Sequence, residues 1–305
     1  MYSWLRHKTE ALKDQVIAFA CDLVRTPSPS PKEAEIGKLV ETRMKELGYD
    51  KVFTDEFGNA IGIMFGRAAK PTLLLACHMD NADPGDDELW DRPPYSATIQ
   101  HGHLHGAGAS DCKGGLAAQV FAGAALRKGL LPFQGNLIVA ATVAGVHEQS
   151  DGIRLLMKKT LPSVELKPTC AVLGEPTGLG LYWGSENSSS VWSIDPYHPV
   201  MEWARHALAI AGCEVRTGRW HMSRGVSAGK VLTQEFNVPT IGYGPGNEDI
   251  SHVPNEYVEV RKIVRGMFGT AVVAHSVVGI PVYGGIRYAL ASVSAEEREL
   301  SDATA

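Results

Sequence analysis

Four short apolar runs constrain this chain more than any other feature. They are "PTLLLACHMD" (71–80), "GNLIVAATVAGVHE" (135–148), "TCAVLGEPTG" (169–178) and "VPTIGYGPG" (238–246). Each is apolar at successive positions rather than alternating, which is how a strand reads when both of its faces are covered. Between them lie stretches with apolar residues at helical spacing: 4–25, a second helix ending at Gly48, 115–128, "GIRLLMKKT", "HPVMEWARHALAIAG" and "NEYVEVRKIVRGMFGTAVVAHS". "KVFTDEFGNAIGIMFG" reads as a hairpin around Phe57-Gly58-Asn59. Strands alternating with helices predict an α/β fold: a single-layer, mixed, mainly parallel sheet flanked by helices.

The run ends carry chemistry. The first ends in His78 and Asp80, the second in His147, Glu148 and Gln149, the third in Glu175; the fourth runs into a loop with Asp249 and His252. In open α/β sheets the functional crevice lies outside the carboxyl ends of the strands. His, Asp and Glu are ligands that zinc accepts. Two metals sharing a site use a bridging carboxylate, a role that suits Asp111 in the loop "GAGASDCKGG". Asp80 lies two residues after His78, on the same strand face, where a carboxylate orients a ligating imidazole. Each feature also has a plain structural reading. "SDCKGG" reads equally as a helix entry capped by Ser110 or Asp111, and Cys112 as a small buried side chain. "HGHLHG", with His101, His103 and His105, reads as a hairpin turn rather than a metal tract.

Composition narrows the function classes. With 305 residues and 44% hydrophobic content the chain can bury a large core. A net charge of −5 and a pI near 6.1, without a polybasic run, argue against nucleic acid as partner. No apolar stretch reaches the roughly 18 residues that span a bilayer. The charged N-terminal stretch is unlike a signal peptide, and five scattered cysteines suit reduced thiols, so a cytoplasmic location is expected.

Taken together, "LLLACHMDNADPGDDELWDRPPY", "HGAGASDCKGG", "VHEQSDG", "LGEPTG" and "GYGPGNEDISHVPNEYV" resemble, in order and spacing, the M20 metallopeptidase and deacylase family. That family includes acetylornithine deacetylase and succinyl-diaminopimelate desuccinylase. "WSIDPYHPV" and "IGYGPGNED" most resemble its YgeY-like hydrolases. The resemblance spans about residues 5–265 and implies a zinc-peptidase catalytic domain. It implies that His78 and Glu175 bind a first metal, His252 a second, and that Asp111 bridges them. It further implies that Asp80 supports His78 and that Glu148 is the general base. Gln149 stands where the family has a glutamate ligand of the second metal, so one tightly held Zn2+ is expected, with the second weak or absent; Co2+ or Mn2+ are alternatives.

A second departure concerns the lid. Members of the family insert a lid and dimerisation domain after the Glu-Pro-Thr strand, whereas here a short polar connector near 184–191 fills that place. Residues 1–305 therefore read as one lidless catalytic domain, and the family's usual dimer is not carried over. Ala107 stands where the family usually has Arg. Substrate contacts are expected from "HMSRGVSAGK", with Arg224 for a carboxylate and Ser223 as a hydrogen-bond donor. The expected activity is zinc-dependent cleavage of an amide bond in an N-acyl amino acid or short peptide. One alternative is a catalytically impaired relative or metal-binding partner subunit. Another is a serine hydrolase using Ser227, since "GVSAG" matches a nucleophile elbow; "VRTGRWHMSR" before it reads as a poor strand.

Overall fold

The computed structural model describes residues 2–131, 133–145, 150–186, 191–221 and 228–279. Its helices are α1 (Tyr2–Ala11), α2 (Lys13–Arg25), α3 (Ala34–Glu46), α4 (Gly114–Lys128), α5 (Asp151–Leu155), α6 (Leu161–Ser163), α7 (Pro199–Ile210), α8 (Ala228–Lys230) and α9 (Val260–Val278). Its strands are β1 (Lys51–Thr54), β2 (Ala60–Met64), β3 (Thr72–His78), β4 (Thr98–Gln100), β5 (His103–His105), β6 (Asn136–Thr142), β7 (Cys170–Leu173), β8 (Leu181–Ser185), β9 (Trp192–Ser193), β10 (Thr217–Trp220), β11 (Thr240–Gly242) and β12 (Tyr257–Glu259). The main sheet has the order β1-β2-β6-β3-β7-β11-β8-β10, with β9 paired to β8. Its centre, β6-β3-β7-β11, is parallel; the β1-β2 hairpin joins β6 antiparallel, and β8 joins β11 antiparallel. A separate small sheet, β12-β5-β4, stands beside it.

The apolar runs form this sheet because side chains of opposite parity are buried on opposite faces. Leu73, Leu75 and Cys77 join a core with residues of α1 to α4, α7 and α9. Leu74 and Ala76 join a second core with Ile153, Leu156, Leu161 and Leu232. Burying a Leu or Ile is worth about 1.5–3 kcal/mol. A one-residue slip would exchange every such partner, so the register of β3 against β6 is strongly specified. That register sets His78 beside Thr142 and ends the central strands at one edge.

Several elements differ from expectation. The first helix divides at Leu12, where its N–H turns to Thr9 in a tighter bond and the Thr9 hydroxyl bonds back to Arg6. The stretch read as a helix from Asn255 begins with strand β12, which pairs with β5, and turns helical only at Val260. The poor strand is in part a strand: β10 lies at the sheet edge, parallel to β8, with Trp220 edge-on to Tyr182 at 5.2 Å. The connector has structure at its described ends, since Gly184 and Ser185 belong to β8 and pair with Ser193 and Trp192. "HGHLHG" forms the β4-β5 hairpin, in agreement with its pattern. Among the described residues, no helix is long and apolar enough to cross a membrane.

Candidate metal centre

The ends of β3 and β7 and two loops bring the candidate ligands together. His78 is the last residue of β3. Its Nδ1 faces the Asp80 carbonyl at 3.0 Å and Asp80 Oδ1 at 3.3 Å. Its Nε2 faces Asp111 Oδ1 at 3.1 Å. The other carboxylate oxygen of Asp111 lies 2.8 Å from His252 Nε2. One carboxylate therefore presents one oxygen to each of two imidazoles, the arrangement of a bridging ligand. His252 sits in a left-handed turn, φ 59°, which aims its ring back from the loop after β11. Neither Ser110 nor Asp111 caps α4, because the Ser110 hydroxyl instead donates to the Asn247 carbonyl at 2.9 Å.

The charges of these groups are coupled. Burial opposes ionisation of Asp111, but His252 and His78 hold its carboxyl well below the usual range. Burial likewise opposes charge on His252, and Asp111 overcomes it, raising the imidazole. Glu175, at the tip of β7, is pushed up to about 7 by burial and then by Asp111, with His78 opposing. Two carboxyls coupled in this way suit a cation, which favours the charged form of both. His252 Nε2, although buried and so close to Asp111, meets no acceptor in hydrogen-bonding geometry. The donor set is imidazole nitrogen and carboxylate oxygen, and His78 Nδ1 is already turned toward Asp80, leaving Nε2 for a ligand. On these grounds the residues fit a divalent metal such as zinc. Among the described residues, His78, Asp111 and Cys112 are the group whose donor atoms all lie within 4.8 Å of one another; Glu175 and His252 lie outside it. The Cys112 thiol is buried, 2.7 Å from Cys77 Sγ and 3.3 Å from the His78 carbonyl, consistent with a packed side chain.

Glu148, Gln149, His147, Ser223, Arg224 and Ser227 lie outside the described residues. The backbone leading to Glu148 is described. Asp80 Oδ1 accepts from the Gly145 N–H at 2.8 Å, and Glu33 from the Ala144 N–H at 3.1 Å. A Cβ at Gly145 would sit 2.1 Å from His78 Cβ, so only glycine lets this loop pass against the imidazole. Asp80 thus touches both the ligand-bearing strand and the loop that continues to Glu148. His103 meets the Tyr257 ring edge-on at 4.5 Å and His105 meets it at a tilt at 5.5 Å, and neither belongs to the cluster around Asp111.

Two buried charged residues escaped the sequence reading. Lys113 is fully buried, donating to the Thr26 carbonyl at 2.9 Å and Asn81 Oδ1 at 3.1 Å. Burial pulls its pKa down to about 7 against the opposing pull of Glu256 and Asp80. Glu256 is 2% exposed, and its carboxylate faces the backbone of the Asp111 loop. The only signal was their position inside the motifs "SDCKGG" and "VPNEYV".

Comparison with known proteins identifies the family and the fold. The profile of peptidase family M20/M25/M40 matches residues 74–274, a range holding His78, Asp80, Asp111, Glu175 and His252. The chain is 27% identical over 190 residues to the uncharacterised protein YgeY of Escherichia coli K12, covering 62% of this chain and 46% of that protein. It is 30% identical over 163 residues to the succinyl-diaminopimelate desuccinylase of Wigglesworthia glossinidia brevipalpis, covering 53% and 43%. The chain thus spans less than half the length of these curated relatives. In fold it is similar to the dipeptidase Dug1p of Saccharomyces cerevisiae, with TM-score 0.75, 13% identity, and 90% and 98% of the two chains covered. Human carnosine dipeptidase 1 gives TM-score 0.73 at 10% identity, with 90% and 99% covered. The mixed sheet flanked by helices is the M20 catalytic-domain fold. On the family match and the shared fold, this chain belongs to peptidase family M20/M25/M40.

Proposed function

We propose that the protein is a zinc-dependent hydrolase that cleaves an amide bond of a small N-acyl amino acid or short peptide. The observation that carries the reading is Asp111, one oxygen toward His78 and the other toward His252. In this reading His78, Asp111 and Glu175 hold a tightly bound zinc. His252, Asp111 and the Gln149 amide form a weaker second position, because an uncharged amide replaces an anionic ligand. A bound zinc supplies Lewis-acid polarisation of the scissile carbonyl and makes water acidic near neutral pH. Glu148 removes the proton of the attacking water and returns it to the leaving amine. Asp80 keeps the His78 ring in its tautomer and orientation. Arg224 binds a substrate carboxylate and Ser223 donates a hydrogen bond to it. Residues 1–305 act as one catalytic domain without a lid. The similarity to a desuccinylase and to dipeptidases in fold supports the substrate class.

The test is hydrolysis of a panel of N-acyl amino acids and dipeptides, with and without chelator, in wild type, Glu148→Ala and Ser227→Ala. Loss of a general base lowers the rate by about 10²–10⁴-fold. The expected result is chelator-sensitive turnover restored by zinc, lost in Glu148→Ala and kept in Ser227→Ala. Chelator-insensitive turnover lost in Ser227→Ala would overturn the reading in favour of a serine nucleophile. Zinc binding without turnover of any substrate would favour a catalytically impaired binding subunit.

A further inference from the structure

Glu256 lies four residues after His252, at the start of the segment that enters β12. Its carboxylate is buried and accepts three backbone N–H groups of the loop that carries Asp111. Oε2 receives Gly108 at 3.2 Å, and Oε1 receives Ser110 at 2.7 Å and Asp111 at 2.9 Å. Its own carbonyl accepts the Gly106 N–H at 2.9 Å. One residue therefore satisfies four donors of residues 106–111. Next to it, Asn255 is held in a left-handed turn, φ 64°, and accepts the Asp91 N–H at 2.8 Å, which anchors the Glu256 end of the clamp.

The arrangement is costly unless it does something. Burial pushes the Glu256 carboxyl up to about 7, with the N–H bonds from Asp111 and Gly108 opposing that shift. An amide or an apolar side chain avoids the desolvation of a buried carboxylate but cannot accept all three N–H groups at once. Asp111 is non-helical inside the turn (φ −125°, ψ 92°), and its N–H bonds to Glu256. The two segments joined by Glu256 are those that carry Asp111 and His252. His78 and Glu175, by contrast, are fixed by the ends of β3 and β7 and do not depend on this contact.

We propose that Glu256 is a positioning residue that locks Asp111 to the His252 loop and so determines how well the His252 side of the centre binds its own metal ion. The proposal rests on the metal reading above and adds to it a residue that touches neither metal nor substrate. Outer partners of metal ligands change affinity by about 10–100-fold when replaced. Asp111 serves both positions, so both weaken, but the second also loses the hold on the His252 loop: its affinity falls by about tenfold or more, and by more than that of the first.

The experiment is calorimetric titration of chelator-treated protein with zinc, and with cobalt to monitor ligand geometry by its visible absorption. Wild type, Glu256→Gln and Glu256→Asp are compared. Glu256→Asp keeps the charge but shortens the reach, so it should fall between the other two. Retained binding at the first position shows that each variant is folded. A greater loss at the second position than at the first, with a changed cobalt spectrum, supports the clamp. Equal loss at both positions means general loosening and overturns it, as does unchanged binding at both. Wild type that takes up only one ion overturns the clamp and leaves the metallohydrolase reading standing; wild type that binds neither ion overturns both.

Discussion

At the scale of single residues, the centre works by letting one side chain serve two neighbours. Asp111 does so with its two oxygens, and Asp80 with its contacts to His78 and to the Gly145 N–H. In the proposed reading Gln149 supplies an uncharged amide to the second position, where an anionic ligand would hold a cation more tightly. Gln149→Glu is therefore expected to raise bound zinc from one per chain to two, measured by elemental analysis after dialysis against a weak chelator. Two per chain in wild type would show that the amide does not limit occupancy. Asp80 and Gln149 were readable from sequence because they sit at the ends of apolar runs, and Asp111 because its loop motif follows in the family's order. Glu256 was not, because an acidic residue after Asn255 looks like any solvated loop position until the fold buries it against backbone N–H groups.

At the scale of elements, the site depends on how closely α4 approaches the tip of β7. Gly115, in the first turn of α4, lies against the Gly174 carbonyl; a Cβ there would meet that oxygen at 1.8 Å. The contact is backbone against backbone, so no flexible side chain can yield. Gly174 directly precedes Glu175, so a displaced α4 shifts a ligand as well as the packing. Gly115→Ala is expected to cost about 1–3 kcal/mol, the usual range for overpacking, and to weaken zinc at the first position. Denaturant unfolding with and without zinc checks both; a variant as stable as wild type would mean that α4 can slide. The edge strand β10 belongs to this scale too. "TGRW" has a weak strand pattern by itself, and only pairing with β8 and the Tyr182–Trp220 contact make it one. The same holds for β12, which exists because β5 offers a partner.

At the scale of the whole molecule, α9 packs against α1, α4 and α7. It carries His275, 3% exposed, with the Tyr2 ring edge-on at 6.3 Å and no partner for Nε2. Burial, helped by the positive N-terminus, pulls its pKa down to about 4. The folded chain thus holds this imidazole neutral where an unfolded chain would protonate it, near pH 6.5. Its cost to stability is therefore absent above about pH 6.5 and grows as the pH falls toward about 4. Urea unfolding at about pH 7.5 and about pH 5 should show a loss that is smaller by about 1–2 kcal/mol in His275→Leu than in wild type. Equal losses in the two proteins would mean that His275 is not held neutral.

The sequence by itself determined the layered α/β class, the central strands and the identity of the groups at their tips. Those properties are local: an unbroken apolar run must be covered on both faces, and the residues after it emerge at the sheet edge. Tertiary structure decided what no local pattern encodes. It brought His252 to the far oxygen of Asp111, turned Glu256 inward onto the Asp111 loop and made strands of β10 and β12. In each case the deciding partner lies far along the chain, and a buried polar group or a short strand is stable only once that partner is in place.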